Sequence, residues 1–260
     1  IDGLPVEFYI TYIDIIAPKL MDLYAESCEA GRLPAVALEA LVIPILKPGK
    51  SAKDPTANRP LSMLNVDYKI LSRILATRLL PYMKRLIQSD QTGIIPERNT
   101  ALNIRRLLSL MEDGTHNKTT ASVLAVDIEK AFDSLEWHFL YEVMHRMKLG
   151  RGFVAWTALL YTDPRARVKP VDLFLRDTQW SVALGRDAPS LLLFANAMEP
   201  LAQWARTDLR YRGLILGKSR PDKALYADDL LMFLRDTAAG LPGAISLLAE
   251  FGRLLGRRAG

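Results

Sequence analysis

The stretch ALYADDLLMF, residues 224–233, decides how this chain is read. Two adjacent carboxylates, Asp228 and Asp229, interrupt an otherwise apolar run of strand-forming character. Both flanks are apolar and Asp tolerates turn geometry, so KALYADDLLMFL reads as two strands joined by a two-residue turn at the aspartates. For a lone pair of this kind, a solvated hairpin tip is the better interpretation. The stretch ASVLAVDI changes the balance, because it reads as a short buried strand that delivers Asp127 at its end. If these strands are neighbours, three carboxylates converge at one sheet edge and repel each other unless a cation lies between them. Hard oxygen donors on a rigid sheet suit Mg²⁺, which keeps waters and completes its shell from substrate phosphates. A pair of such ions about 3.5–4 Å apart activates a hydroxyl and stabilises the leaving oxygen of an in-line displacement.

Composition sets the bounds. The chain has 260 residues, half of them hydrophobic and 24% charged, enough for one large domain or two packed lobes. Its longest apolar stretches, such as ALVIPIL and SLLLFANAM, are far too short to span a bilayer, so no membrane partner is expected. No secretory signal is visible, and the chain begins at Ile1, which suggests a piece of a longer polypeptide. A single cysteine, Cys28, precludes an internal disulfide and fits a reducing, intracellular setting. It is expected to be half-buried on a helix. The 34 Lys and Arg against 29 Asp and Glu give a net charge of +5. That excess permits a nucleic-acid partner without requiring one, and each basic cluster alone reads as a solvated helix face. Other phosphate-handling signatures fail: GLILGKS is one residue short of a P-loop, no GxGxxG occurs, and His116, His138 and His145 lack metal-ligand spacing.

Periodicity places helices along much of the chain. One runs from Pro5 to a stop at Gly31, with a kink or break expected at Pro18. A second, NVDYKILSRILATRLLPYMKRLI, puts Ile70, Ile74, Leu75 and Leu79 on one stripe. A third has Asn99 or Thr100 as N-cap and Gly114 as terminator. SLEWHFLYEVMHRMKLG opens on a capping pair, Ser134 and Glu136, and ends at Gly150. PSLLLFANAMEPLAQWAR and LPGAISLLAEFGRLLG complete the set. ALVIPIL reads as a strand leading into KPGKSAKDPTANRP, a long, mobile, basic loop, and ARVKPVDLFL is a further strand candidate. The sum is an α+β chain, rich in helix, with a small antiparallel sheet.

At this point the residues resemble a known family. NRPLSMLNVDYKILSRILATRL, DQTGIIPERNTALNIRRLL, LAVDIEKAFDSLEW and ALYADDLLMFL, in this order along the chain, are similar to the reverse transcriptase of vertebrate non-LTR (LINE-type) retrotransposons. The similarity covers nearly the whole chain. It implies the fingers and palm of a right-hand polymerase: a fingers-like region over 1–118, with N-terminal helices and the basic loop, and a palm over 119–260 carrying motif A and the YADD hairpin. The thumb and an upstream endonuclease would lie outside this sequence.

The resemblance further implies an RNA-directed DNA polymerase that uses two Mg²⁺ ions, or Mn²⁺, held by Asp127, Asp228 and Asp229. Phe132 would be the steric gate that favours deoxynucleotides, with Ala131 leaving room for the sugar. Lys47, Lys50 and Arg59 would grip the triphosphate, and Tyr226 would touch the primer end. Gln91 and Arg98, with Thr92 and Gly93, would contact template or shape the floor of the site. The partners would be an RNA template, a DNA primer, deoxynucleoside triphosphates and other domains of a longer retroelement polyprotein, in cytoplasm and nucleus. Two departures stand out. ALGRDAPSLLLF is shorter than the family's segment and lacks its Gln–Gly turn, and Glu97 replaces an expected glycine. They support a second expectation, a correctly folded remnant that at most binds nucleic acid. A third is a helical interaction domain in which YADD is only a turn.

Overall fold

The computed structural model describes residues 4–51, 54, 57–116, 122–128, 135–168, 188–208, 210, 213, 223–226 and 229–255. Along the chain, the elements are α1 (Val6–Thr11), α2 (Ile13–Ala30), β1 (Glu39–Leu46), β2 (Asn58–Leu64), α3 (Val66–Leu79), a 3₁₀ turn (Leu80–Tyr82), α4 (Met83–Leu86) and α5 (Ala101–His116). They continue with β3 (Ser122–Val126), α6 (Trp137–Arg146), α7 (Arg151–Leu160), β4 (Arg165–Val168), α8 (Ala188–Thr207), β5 (Lys223–Tyr226), β6 (Asp229–Leu234) and α9 (Thr237–Leu254). The chain divides into two compact units, residues 1–75 with 150–187, and 76–149 with 188–260. β4 pairs with β1, which joins residues 165–168 to the sheet of the first unit.

In the first unit the initial helix breaks at Tyr12 (φ −108°), not at Pro18. Pro18 and Asp14 are both exposed, so water can satisfy the Asp14 carbonyl that the proline cannot reach, and α2 runs through. It stops at Gly31, which adopts a φ of 66° without the steric cost a Cβ would bring, with Arg32 N–H donating back to Ser27 O at 3.1 Å. Cys28, one turn earlier, is exposed rather than half-buried.

The sheet of this unit has the order β2-β1-β4, with β2 antiparallel and β4 parallel to β1. The expected loop yields its last residues, NRP, to β2. Pro44 and Pro60 face each other in this hairpin. Lys47 N–H donates to Ala57 O, which makes 47/57 a hydrogen-bonded pair. By alternation, 44/60 is a non-hydrogen-bonded pair where neither strand needs a donor.

On α3 the buried face runs through Tyr68, Leu71, Ser72, Leu75, Ala76 and Leu79. Ile74, placed on the stripe by sequence, is 39% exposed. The spacing 68, 71/72, 75/76, 79 is a 3.6-residue period one position removed from the expected stripe. Tyr68 Oη reaches Leu160 O at 3.3 Å, and Tyr24 Oη donates to Asp67 O at 2.8 Å, so these tyrosines bury their rings without stranding their hydroxyls.

The second unit holds the antiparallel sheet β3-β6-β5. α8 is buried almost all round from Leu192 to Ala202, which explains its mostly apolar sequence, and α6 and α9 pack against it. Phe251 of α9 meets Phe139 and Trp204 edge-on, at 5.9 and 6.4 Å. α5 contributes Leu110 and Leu107 to a cluster with Phe233 and Leu231 of β6. Several ends differ from expectation. α5 continues through Gly114 to His116, while Asn99 Oδ1 accepts from Ala101 N–H at its start. α6 starts after Glu136 without a side-chain cap, and Gly150 (φ 83°) opens α7 instead of closing α6. Asp236 caps α9 by accepting from Ala238 and Ala239 N–H, four residues before the expected start. Among the described residues no helix is long and apolar enough to cross a membrane.

The α3 reassignment makes a sharp contrast. Leu75→Ala should lower the unfolding free energy by about 2–5 kcal/mol, while Ile74→Ala should cost well under about 1 kcal/mol. Denaturant unfolding of the two variants checks this; equal losses would contradict the assigned face.

Candidate active site

β3 and β6 pair so that Val126 lies opposite Leu230 and Val123 opposite Phe233. Continuing that register by one residue sets Asp127 beside Asp229, the first residue of β6. β5 and β6 pair so that Tyr226 lies opposite Asp229. Paired residues of a pleated sheet share a face, so Asp127, Asp229 and Tyr226 lie together at one end of the sheet and on one side of it. This is the side that carries Phe233 and Leu231 against α5. Asp127 and Asp229 are exposed, and Tyr226 is 48% exposed.

The strands refine the expected hairpin. Tyr226 and Asp229 are already paired, so the two-residue link is Ala227–Asp228 rather than Asp228–Asp229. Asp228 itself, Ala131 and Phe132 lie outside the described residues. β3 is not a buried strand: it is half-buried and alternating, with Val123 and Ala125 exposed. Among the described residues it is an edge strand, paired with β6. Two adjacent exposed carboxylates are hard oxygen donors and fit a hard divalent cation. Among the described residues no group of three or more His, Cys, Asp or Glu side chains is assembled, the third aspartate of the expected set being Asp228.

The other edge of β5 is held by the segment around Gln91. Leu225 N–H donates to Asp90 O, and Thr92 N–H donates to Leu225 O, both at 2.9 Å. Gln91 is 2% exposed and its Oε1 accepts from Gly93 N–H at 3.0 Å. Arg98 donates to the carbonyls of Ile87, Gln88 and Gln91. Both side chains, expected to contact template or to shape the floor of the site, make these contacts to the chain's own backbone and shape this segment.

A charged cluster that the sequence did not reveal supports it. Arg206 of α8 grips Asp90 with both carboxylate oxygens, at 2.7 and 2.8 Å, and reaches Glu199 Oε1 at 3.1 Å. Glu199 is 2% exposed and its other oxygen accepts from Gln88 N–H at 3.3 Å. Burial pushes the Glu199 carboxyl above the usual carboxylate range, against the pull of Arg206. Burial likewise lowers Arg98, opposed by Asp90 and Glu199. The only sequence signal was the i, i+7 placement of Glu199 and Arg206 on an otherwise apolar helix.

The turn beyond this segment is strained. Ile94 (φ 70°) and Glu97 (φ 62°) both adopt the left-handed region, which costs a residue with a Cβ roughly 1–2 kcal/mol. The Glu97 side chain pairs with Lys84. Lys47, Lys50 and Arg59 belong to the first unit. Lys50 and Arg59 are exposed and Lys47 is half-buried, in and beside the 47–57 loop.

Comparison with known proteins identifies the family. Residues 45–258 match the family described as reverse transcriptase (RNA-dependent DNA polymerase). The chain is 28% identical over 250 residues to the transposon TX1 uncharacterized 149 kDa protein of Xenopus laevis, covering 91% of this chain and 18% of that protein. It is 26% identical over 221 residues to the Pol polyprotein of the R2 type-1 retrotransposable element of Nasonia vitripennis, covering 83% of this chain and 20% of that protein. The chain therefore spans about a fifth of these relatives. Among solved structures, telomerase from Candida albicans, determined with a fragment of telomeric RNA, superposes with a TM-score of 0.53 at 12% identity over 89% of this chain and 44% of that one.

The buried cluster predicts a pH signature. Arg206→Met leaves Glu199 without its counter-charge and should cost about 3–5 kcal/mol at neutral pH. A carboxyl whose folded pKa is raised destabilises the fold when ionised, and this cost disappears as pH falls toward its unfolded value. The deficit of the variant should therefore shrink on acidification from pH 7. A deficit that is constant or grows would show that Glu199 is not the group left stranded.

Proposed function

Because the chain belongs to the reverse transcriptase (RNA-dependent DNA polymerase) family, we propose that it is the polymerising part of a longer non-LTR retrotransposon protein and extends a DNA primer on an RNA template. The observation that carries the reading is the register that sets Asp127 beside Asp229 at one end of β3-β6-β5. Those two carboxylates, with Asp228, would hold two divalent ions, Mg²⁺ or Mn²⁺. Such ions lower the pKa of a bound hydroxyl and neutralise charge on a transferring phosphoryl group.

The chain's own part is positioning. A pleated sheet fixes the spacing of the aspartates, and phosphoryl transfer gains most of its rate from placement and electrostatics. Tyr226, opposite Asp229 and half-exposed, would contact the primer end. Lys47, Lys50 and Arg59 would bind the triphosphate of a deoxynucleotide, Arg by its planar two-pronged fork. Phe132, beside the small Ala131, would exclude a ribose 2′-hydroxyl. An intracellular setting, in cytoplasm and nucleus, goes with this reading.

Glu97 favours a second reading, a folded remnant that binds nucleic acid without extending it. It puts strain and a negative charge where the resemblance implies glycine.

Extension of a primed RNA template by the purified chain separates the two. Under the polymerase reading, extension requires Mg²⁺ or Mn²⁺ and falls by at least about a thousandfold in Asp127→Asn and in Asp229→Asn, with template binding kept. Template binding without extension, in the unsubstituted chain and in Glu97→Gly alike, would instead favour the remnant.

A further inference from the structure

β5 leads toward Asp229, yet it is only four residues long and among the described residues has a strand partner on one side only. Its other side rests on a single bridge, Gln91 to Leu225. Around that bridge the Leu225 carbonyl collects an unusual number of donors. Thr92 N–H reaches it at 2.9 Å, Asn103 Nδ2 at 3.0 Å and Thr92 Oγ1 at 3.2 Å.

The proton count closes. The two protons of Asn103 Nδ2 serve Leu225 O and Thr92 Oγ1, the latter at 2.7 Å, which leaves the Thr92 hydroxyl proton for Leu225 O. Asn103 Oδ1 accepts from Arg106 at 3.4 Å. All of these groups are enclosed: Leu225 is 1%, Thr92 3% and Asn103 7% exposed. A buried side-chain amide whose hydrogen-bonding capacity is used in this way costs more to bury than a leucine would, so packing alone does not account for it.

We infer that Asn103, acting with Thr92 through the Leu225 carbonyl, is a positioning residue that fixes β5 along its axis and so sets where the paired strands hold Asp229. Leu225 is one residue from Tyr226 and four from Asp229, so any slide of β5 reaches the carboxylate end without dilution. The base of the clamp is itself immobilised, because Asp90 O receives Leu225 N–H while the Asp90 carboxylate is gripped by Arg206. The inference rests on the metal-holding reading for its consequence, though not for the clamp.

Asn103→Leu, close in shape and without donors, tests it together with Thr92→Val, which removes only the hydroxyl and serves if the first variant does not fold. Two quantities are read: amide hydrogen exchange of residues 223–226, and Mn²⁺ binding by electron paramagnetic resonance. Leu75→Ala, in the other unit, controls for lost stability as such. The expected result is faster exchange in β5 and about tenfold weaker Mn²⁺ binding in Asn103→Leu, the range for residues that orient metal ligands. Thr92→Val should show the same changes at smaller size, and Leu75→Ala should bind Mn²⁺ normally. Folded variants with unchanged β5 exchange, or with faster exchange and unchanged Mn²⁺ affinity, overturn the inference. If the unsubstituted chain binds no Mn²⁺, the metal-holding reading falls separately, and β5 exchange alone decides the clamp.

Discussion

The pairing of β3 with β6 is the constraint on which the rest of the site depends. Side chains alternate across a sheet, so a slip of one residue would carry Asp229 to the opposite face from Asp127. Both faces of β6 oppose such a slip. Leu230, Met232 and Leu234 are 1–2% exposed on one side, and Phe233 packs with Leu110 of α5 on the other. The apolar contacts at one end of β6 therefore hold two like charges together at the other. Without that lock, carboxylate repulsion would favour any register that separated them.

The surroundings extend the same logic. Among the described residues β6 is central, β3 is an edge strand, and the loop segment 90–92 lies along the outer side of β5. That segment has no regular pairing of its own, and the structure compensates with charge and amide chemistry. Arg98 ties its carbonyls, Arg206 ties its aspartate, and Asn103 ties it to Leu225. A buried ionic cluster is poor at adding stability, but it penalises alternative arrangements strongly, because each leaves a charge unpaired. Such a device suits a segment that must hold one position next to a site where displacements of about 1 Å matter to rate.

The carboxylate end was legible in the sequence because it depends on local signals. Apolar runs gave β5, β6 and β3, and the aspartates marked their ends. Long apolar helices were legible for the same reason. Errors came where tertiary context decides. β2 carries a proline, which reads as loop until Pro44 is found opposite at a pair that needs no donor. α7 is a ten-residue helix of ordinary propensity, given away only by its packing with α2. Gly114 did not end α5, since a helix tolerates one glycine at a cost of about 1 kcal/mol. The roles of Gln91 and Arg98 depend on carbonyls of a loop whose path no periodicity announces. Membership in the reverse transcriptase family was visible from the motifs, and the chain's discontinuous division into two units was not.

The central claim is geometric: Asp127 and Asp229 are cross-strand neighbours on one face. In a Cys28→Ser background, cysteines replacing both residues (Asp127→Cys with Asp229→Cys) would sit on adjacent antiparallel strands, whose opposed Cα atoms lie about 4.5–5.5 Å apart. That spacing falls within the range a disulfide bridges. Mild oxidation of the folded protein should link the pair rapidly and nearly completely within one chain, whereas the pair Asp127→Cys with Asp236→Cys, at the far end of β6, should not link. Failure of the first pair to cross-link in a natively folded protein, or equal linking of both pairs, would contradict the register and the site built on it.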